Sequence, residues 1–446
     1  MKITDTIKLE CEDFNHQGMG VGRYQGFLFF VPGFIIEDVA IVEIVELKKN
    51  YGFGKIKEIL KISPYRIEPA CPIYSECGGC SLLSLDYQEQ LNLKVRMAEA
   101  TFNRIGHLKL KVDAIIVMEN PFRYRNKALF TFGQIKDEIV CGYYRQGTNE
   151  VIPLVDCKTT PHLSTEIALY IKDLANLYGL SVYDNTADSG LLRQLMLRVN
   201  RDGEYMVAMI TRDDEIPHCN EIVSELQKRY PKVKTIMQIV NRKKNNALID
   251  TEMRTLTGPG MLIDRLMGLS FIVSLQSFFQ TNLYQTEKLY KKVIDYAKPQ
   301  PTDIIVDAYC GVGTMTLIFA AYCRKAYGIE VMSEAISDAR DNAKMNNIKN
   351  VEFFLGKAEL EITKLDSPID ILIVDPPRKG CDQVLLNSII KQNIKKIIYV
   401  SCDVATLARD LAYLAPYYKI EGVTLVDMFP HSMHVETVVL MSRVKD

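Results

Sequence analysis

The stretch Ile304-Ile305-Val306-Asp307-Ala308-Tyr309-Cys310-Gly311-Val312-Gly313 decides how this chain folds. Its first residues are branched and apolar, the pattern of a strand buried on both faces. The turn that follows has Gly311 and Gly313, where a backbone without side chains can approach a ligand closely. Outward from this strand the pattern is regular. A helix over 282–297 precedes it, and helix 314–321, strand 326–329, helix 333–346 and strand 351–355 follow. Strand 370–375 ends in Asp375-Pro376-Pro377-Arg378, and strand 396–400 runs into Ser401-Cys402-Asp403. Helix 405–412 and strands 422–428 and 435–442 close the chain. Strands alternating with helices predict an α/β, doubly wound, Rossmann-like parallel sheet. The last two strands lie about six residues apart, too close for a helical crossover, so the final strand is expected to be antiparallel.

The glycine turn reads as a nucleotide-type cofactor site. Glu330 ends the next strand, where a carboxylate can accept hydrogen bonds from ribose hydroxyls. A dinucleotide fingerprint would want a third glycine where Thr316 stands, which weakens that reading. A parallel sheet closed by one antiparallel strand instead matches the usual plan of S-adenosylmethionine-dependent methyltransferases.

Ligands of open α/β sheets bind outside the carboxyl ends of the strands. Asp375 and Cys402 stand at two successive strand ends, so both face the same cleft. Prolines stiffen the loop after Asp375. Asp-Pro-Pro alone would also suit methylation of an adenine amino group. A cysteine beside it changes the chemistry. Carbon 5 of uracil is a poor nucleophile, and a thiolate adding at carbon 6 turns the ring into an enolate that can accept a methyl group. A base must then remove the carbon 5 proton before the thiolate can leave. Glu436, in His431-Ser432-Met433-His434-Val435-Glu436, is the candidate base. On its own it reads as a solvated strand-end carboxylate, as Cys402 on its own reads as a buried structural thiol. Asp375 is expected to bond the uracil N3–H or, protonated, to stabilise charge at O4.

The chain resembles the RNA uracil-5-methyltransferases of the bacterial 23S rRNA type. The resemblance is carried by Ser277-Phe278-Phe279-Gln280-Thr281-Asn282, the Asp307–Gly313 turn, Asp375-Pro376-Pro377-Arg378, Val400-Ser401-Cys402-Asp403 and Pro430–Glu436, in that order along nearly the whole chain. It implies that Cys402 is the nucleophile and Glu436 the base. It also implies that Gln280 meets cofactor or uracil, and that S-adenosylmethionine contacts Tyr309, Gly311 and Glu330, with Asp307, Gly313 and Asp375 at the same strand ends. Val404 departs from the proline the family often carries there. Lys357 stands where an acidic residue is common near the adenine, which leaves that contact open.

The remaining 275 residues divide in two by pattern, a boundary that also follows from length, since 446 residues exceed one ordinary core. Residues 1–60 read as about five short strands of a small OB-like barrel. With Gly18-Met19-Gly20-Val21-Gly22-Arg23 as a glycine turn, this barrel resembles a TRAM domain, and Arg23 is a candidate RNA contact. Residues 61–275 form a central α+β domain that opens with Cys71, Cys77 and Cys80, spaced C-x5-C-x2-C, before a helix over 84–106. Thiolate-only ligation suits an iron–sulfur cluster, 4Fe–4S in type, with structural zinc as the rival. Cys157 resembles the family's distant fourth ligand. Phe122-Arg123-Tyr124-Arg125-Asn126-Lys127 interleaves basic and aromatic residues, which marks Arg123, Arg125 and Lys127 as RNA contacts. Residues 276–446 are the methyltransferase domain.

Composition excludes several classes. The net charge of −1 allows RNA binding only through local basic patches. Eleven cysteines, an odd number in a long chain, argue against a disulfide framework. No apolar run reaches the ~18 residues of a membrane helix. With no apolar leader after Met1, a cytoplasmic enzyme is expected. Its partner would be RNA, foremost 23S rRNA, with the target uracil flipped out of a loop into the cleft. No obligate protein partner is implied; the alternatives are the same methylation on tRNA, or an RNA-binding factor with a degenerate methyltransferase domain.

Overall fold

The computed structural model describes residues 1–248, 251–275, 277–365 and 368–444. Within these residues the chain builds three large sheets and one two-stranded hairpin.

The first sheet has six strands: Thr6–Glu10, Asp13–Phe14, Gly20–Tyr24, Phe27–Val31, Val39–Leu47 and Tyr51–Lys61. The glycine run is not the turn that its composition suggests. Gly20 and Gly22 lie inside a strand, where a Cβ would meet the Phe34 carbonyl at 2.3 Å and the Glu10 carbonyl at 2.8 Å. Glycine stands there because neighbouring backbone passes too close for any side chain. Only Gly18, with φ of 80°, makes the turn.

The helix expected from residue 84 is Tyr87–Gly106, here α1. It starts later because Asp86 caps it, accepting from the Gln88 and Glu89 amides. Ser84 instead points into the cysteine loop and bonds the Tyr74 hydroxyl at 2.8 Å. The central sheet has seven strands. Two of them, Leu192–Val199 and Tyr205–Thr211, are buried along their whole length. Helices His162–Leu177 and Cys219–Arg229 share the apolar core of this sheet.

The C-terminal sheet has eight strands. In spatial order they are Val351–Leu355, Lys325–Glu330, Ile304–Asp307, Ile371–Val374, Lys396–Ser401, Glu436–Arg443, Tyr418–Val426 and Ala114–Ile116. The final strand is antiparallel to both neighbours, as expected from the short connection. It does not extend the edge but inserts between Lys396–Ser401 and Tyr418–Val426. The edge comes from Ala114–Ile116, which follows α1 in the chain. Ala98 and Phe102 of α1 pack with Leu407, Ala408 and Leu411 in the core of this sheet. No helix among the described residues is long and apolar enough to cross a membrane.

Candidate active site

Strand Ile304–Asp307 delivers the chain to the glycine turn. Gly311 and Gly313 take φ of 53° and 81°, the left-handed region that favours glycine. At Gly313 a Cβ would press on Ala339 and the Phe353 ring at 3.1 Å. The Gly311 amide donates to the Glu330 carboxylate at 3.2 Å, which fixes Glu330 at the rim of the turn. Asp307 lies beneath, buried, and accepts from the Thr316 hydroxyl at 2.7 Å. Thr316, the residue that broke the dinucleotide pattern, is thus a partner of the acid that ends the strand. Gln280, Asp307, Tyr309, Gly311 and Asp375 line one cavity together. Gly313 and Glu330 buttress the turn from outside that lining.

The reactive groups come from three adjacent strands. Asp375 follows Ile371–Val374, and Cys402 follows Lys396–Ser401. Ser401 pairs with Thr437 in an antiparallel register, which carries Cys402 beside Glu436. Asp403 caps the helix Val404–Leu414 through the Thr406 amide at 2.9 Å, so the thiol sits on a fixed strand-to-helix elbow. Glu436 is 5% exposed, which removes the reading of a solvated strand end.

Electrostatics tie the three together. Burial pushes the Cys402 thiol up to about 11, with the Glu436 and Asp375 charges adding to it and Arg378 opposing. Burial and then Asp375 push Glu436 up to about 8, again against Arg378. Burial and then Asp307 push Asp375 up to about 7. Carboxylates this close share protons near neutrality. One group can therefore hold or donate a proton while its neighbour accepts one, which is what addition and elimination at one carbon pair require.

Sequence reasoning missed several neighbours. Phe278 is 71% exposed at the cavity rim, while Phe279 is buried beneath it. The doubled aromatic in Ser277-Phe278-Phe279-Gln280 was the available signal. The Tyr290 hydroxyl bonds Thr314 at 2.8 Å on the cavity wall. No spacing rule marks it.

The basic candidates are not gathered in one patch. Arg123 turns inward, donating to both Asp156 oxygens at 2.7 Å and to the Cys157 carbonyl at 2.6 Å. Arg125 is half-buried, has an unpartnered Nε, and lies within electrostatic reach of Cys77 and Cys80. Lys127 pairs across the ladder with Arg198, and burial together with that cation pulls it down to about 8. Arg23 is exposed and meets Glu12 at 3.4 Å.

Cys71, Cys77, Cys80 and Cys157 come together from two parts of the chain, since each of the first three feels the charge of Cys157. Burial would push the Cys157 thiol up, but hydrogen bonds led by Thr159 and Tyr143 hold it below the usual range. Among the described residues, no group of three or more His, Cys, Asp or Glu side chains converges as a single metal ion requires.

A glycine turn at a strand end, with a thiol and two carboxylates on the next strands, makes this edge of the sheet a candidate methyltransferase site. A family model of tRNA (uracil-5-)-methyltransferases matches residues 86–444, and a TRAM domain model matches residues 3–57. A Bacillus cereus protein described as an uncharacterized RNA methyltransferase is 40% identical over 445 residues, covering 98% of this chain and 97% of its own. A Clostridium tetani protein of the same description is 37% identical over 447 residues, covering 99% and 97%. The solved structure of Pyrococcus abyssi tRNA (uracil-54, C5)-methyltransferase with S-adenosyl-L-homocysteine aligns at a TM-score of 0.79 and 28% identity. It covers 98% of this chain and 100% of that one. The chain therefore belongs to the family of S-adenosylmethionine-dependent RNA uracil-5-methyltransferases, with an N-terminal TRAM domain.

Proposed function

We propose that the protein forms 5-methyluridine in 23S rRNA, with Cys402 as nucleophile and Glu436 as base. The observation that carries this is the meeting of Cys402, Asp375 and Glu436 beside the Gly311 turn. The Cys402 sulfur adds to carbon 6 of the uracil, and its proton passes to Asp375. Asp375 then donates a hydrogen bond to the oxygen on carbon 4, where the enolate charge develops. Carbon 5 attacks the sulfonium methyl, and S-adenosylhomocysteine leaves. The Glu436 carboxylate takes the proton from carbon 5, the carbon–sulfur bond breaks, and the ring double bond returns. Asp375 gives its proton back to the departing thiolate, and Glu436 releases the other to water.

We divide the labour at residues 60 and 275. The barrel and the central domain hold RNA, and the C-terminal domain does the chemistry. Phe278 offers an exposed ring at the cavity mouth on which a base can stack, and Arg23 and Lys127 supply charge. Arg123 serves the Cys157 loop instead. The thiolates of Cys71, Cys77, Cys80 and Cys157 are suited to an iron–sulfur cluster, 4Fe–4S in type, whose negative charge Arg125 would balance. Bound there, the cluster supplies a cross-link that orders the loop.

The second reading is the same chemistry on tRNA. The archaeal tRNA enzyme spans the whole chain, so a full-length architecture does not exclude that substrate. The test is methyl transfer from labelled S-adenosylmethionine to unmodified 23S rRNA and unmodified tRNA in parallel, with wild type and Cys402→Ala. Label in rRNA as 5-methyluridine, absent in the variant, supports the proposal. Label in tRNA alone moves the substrate to the second reading.

A further inference from the structure

Helix α1 lies outside the cavity, yet it grips the connection that leads to Glu436. That connection runs from Asp427 to Val435. Val426 and Glu436 pair across the ladder at its base. A loop of this length needs partners along it to hold one shape. Here they are numerous. The Lys94 side chain is wholly buried, with Nζ 2.5 Å from Asp427 and 3.2 Å from the Phe429 carbonyl. The Tyr87 hydroxyl donates to the other Asp427 oxygen at 2.6 Å. The Gln90 side-chain oxygen accepts from the His431 amide at 3.0 Å. Its amide nitrogen donates to the Leu82 and Leu85 carbonyls at 3.0 and 2.8 Å. The Leu82 amide closes the circuit on the His431 carbonyl at 3.0 Å. His431 takes φ of 65°, a conformation that a non-glycine residue keeps only when its surroundings impose it.

A buried ion pair contributes little stability beyond apolar side chains of the same volume, but it enforces one geometry. Neither Lys94 nor Asp427 can move without leaving the other charge unpaired away from water. We propose that Lys94 and Gln90 are positioning residues. Acting through Asp427, Phe429 and His431, they set the loop that aims the Glu436 carboxylate at carbon 5. This rests on the reading of Glu436 as the base. Cys402 is held by its own strand-to-helix elbow, which Asp403 caps on the Thr406 amide, so we expect a misaimed Glu436 to spare addition and methyl transfer and to stall proton removal. The enzyme then accumulates as a methylated adduct, with the Cys402 sulfur still bonded to carbon 6.

The experiment compares wild type, Glu436→Gln, Lys94→Met and Gln90→Leu on whichever unmodified transcript, 23S rRNA or tRNA, accepts the methyl group. Label held in a protein–RNA band on a denaturing gel measures the stalled adduct. Multiple turnover measures the whole cycle. Circular dichroism identifies which variants fold, and Gln90→Leu, which leaves the ion pair in place, serves if Lys94→Met does not. We expect the adduct to accumulate in all three variants, turnover to fall by about 100-fold, as for a misplacement of about 1 Å, and KM for RNA to hold within about twofold. Adduct in Glu436→Gln but none in a folded α1 variant overturns the positioning role alone. No adduct in Glu436→Gln overturns the base assignment, and this inference with it. A folded α1 variant that turns over like wild type also overturns it.

Discussion

Replacing Glu436 by glutamine should stabilise the fold, and by an amount that depends on pH. The carboxyl is buried, and its pKa rises from 4.5 to about 8 through burial first and Asp375 second. A carboxyl raised in the folded state favours folding fully below its unfolded pKa. As pH climbs, the unfolded chain ionises freely while the folded one resists. Stability therefore drains between pH 4.5 and about 8, and is level above that. At about 1.4 kcal/mol per unit the full shift is worth roughly 5 kcal/mol, and since Asp375 supplies part of it we expect roughly 2–5 kcal/mol. Glutamine has nearly the same shape and cannot ionise. At pH 5 the two proteins should melt almost together. At pH 8.5 the variant should melt about 4–20 °C higher, taking roughly 2–4 °C per kcal/mol for a domain of this size. Thermal unfolding followed by circular dichroism at both pH values measures the gap. An equal gap at the two pH values, or a variant that melts lower at pH 8.5, would refute the claim that Glu436 is an ionisable group held neutral by its surroundings.

The Cys402 thiol is pushed up to about 11 and hands its proton to Asp375, itself pushed up to about 7, so single-turnover methyl transfer should rise close to tenfold per pH unit below about pH 6.5 and level off above about pH 7.5. A flat profile would mean that the thiolate is already formed. Cys402→Ala should abolish both product and denaturant-stable adduct; residual 5-methyluridine above background would rule the thiol out as nucleophile. Phe278→Ala should raise KM for RNA roughly tenfold, in keeping with ~1–3 kcal/mol for one lost base stack, while leaving methyl transfer from the bound complex nearly unchanged. An unaltered KM would leave the exposed ring unexplained. Protein purified without oxygen should carry iron and acid-labile sulfide, both lost in Cys77→Ser; zinc in their place would overturn the cluster.

The parts that were legible in the sequence are those whose physics is local. Ile304–Asp307 announces itself because a parallel strand covered on both faces must be apolar throughout, and the turn after it must be glycine where φ is positive. The placing of Asp375, Cys402 and Glu436 at one edge of the sheet was legible because parallel strands end where an antiparallel neighbour begins. What the sequence left open is direction and insertion. Phe122–Lys127 reads as a basic, aromatic patch, but nothing in that pattern tells that Arg123 turns inward to Asp156. The short connection before Glu436 foretells an antiparallel strand, but neither its insertion between Lys396–Ser401 and Tyr418–Val426 nor the edge that Ala114–Ile116 adds from far upstream. Lys94 and Asp427 are 333 residues apart, and each alone reads as a solvated charge. Only tertiary packing removes them from water together. The same packing makes Glu436, an ordinary strand-end acid in the sequence, a buried carboxyl at the end of a clamped loop. The proposed catalytic residues are thus specified by strand ends, while under the proposed positioning role their aim is specified by residues that carry no catalytic motif. A comparison restricted to the motifs would record an intact site in Lys94→Met, where the positioning role expects a stalled enzyme.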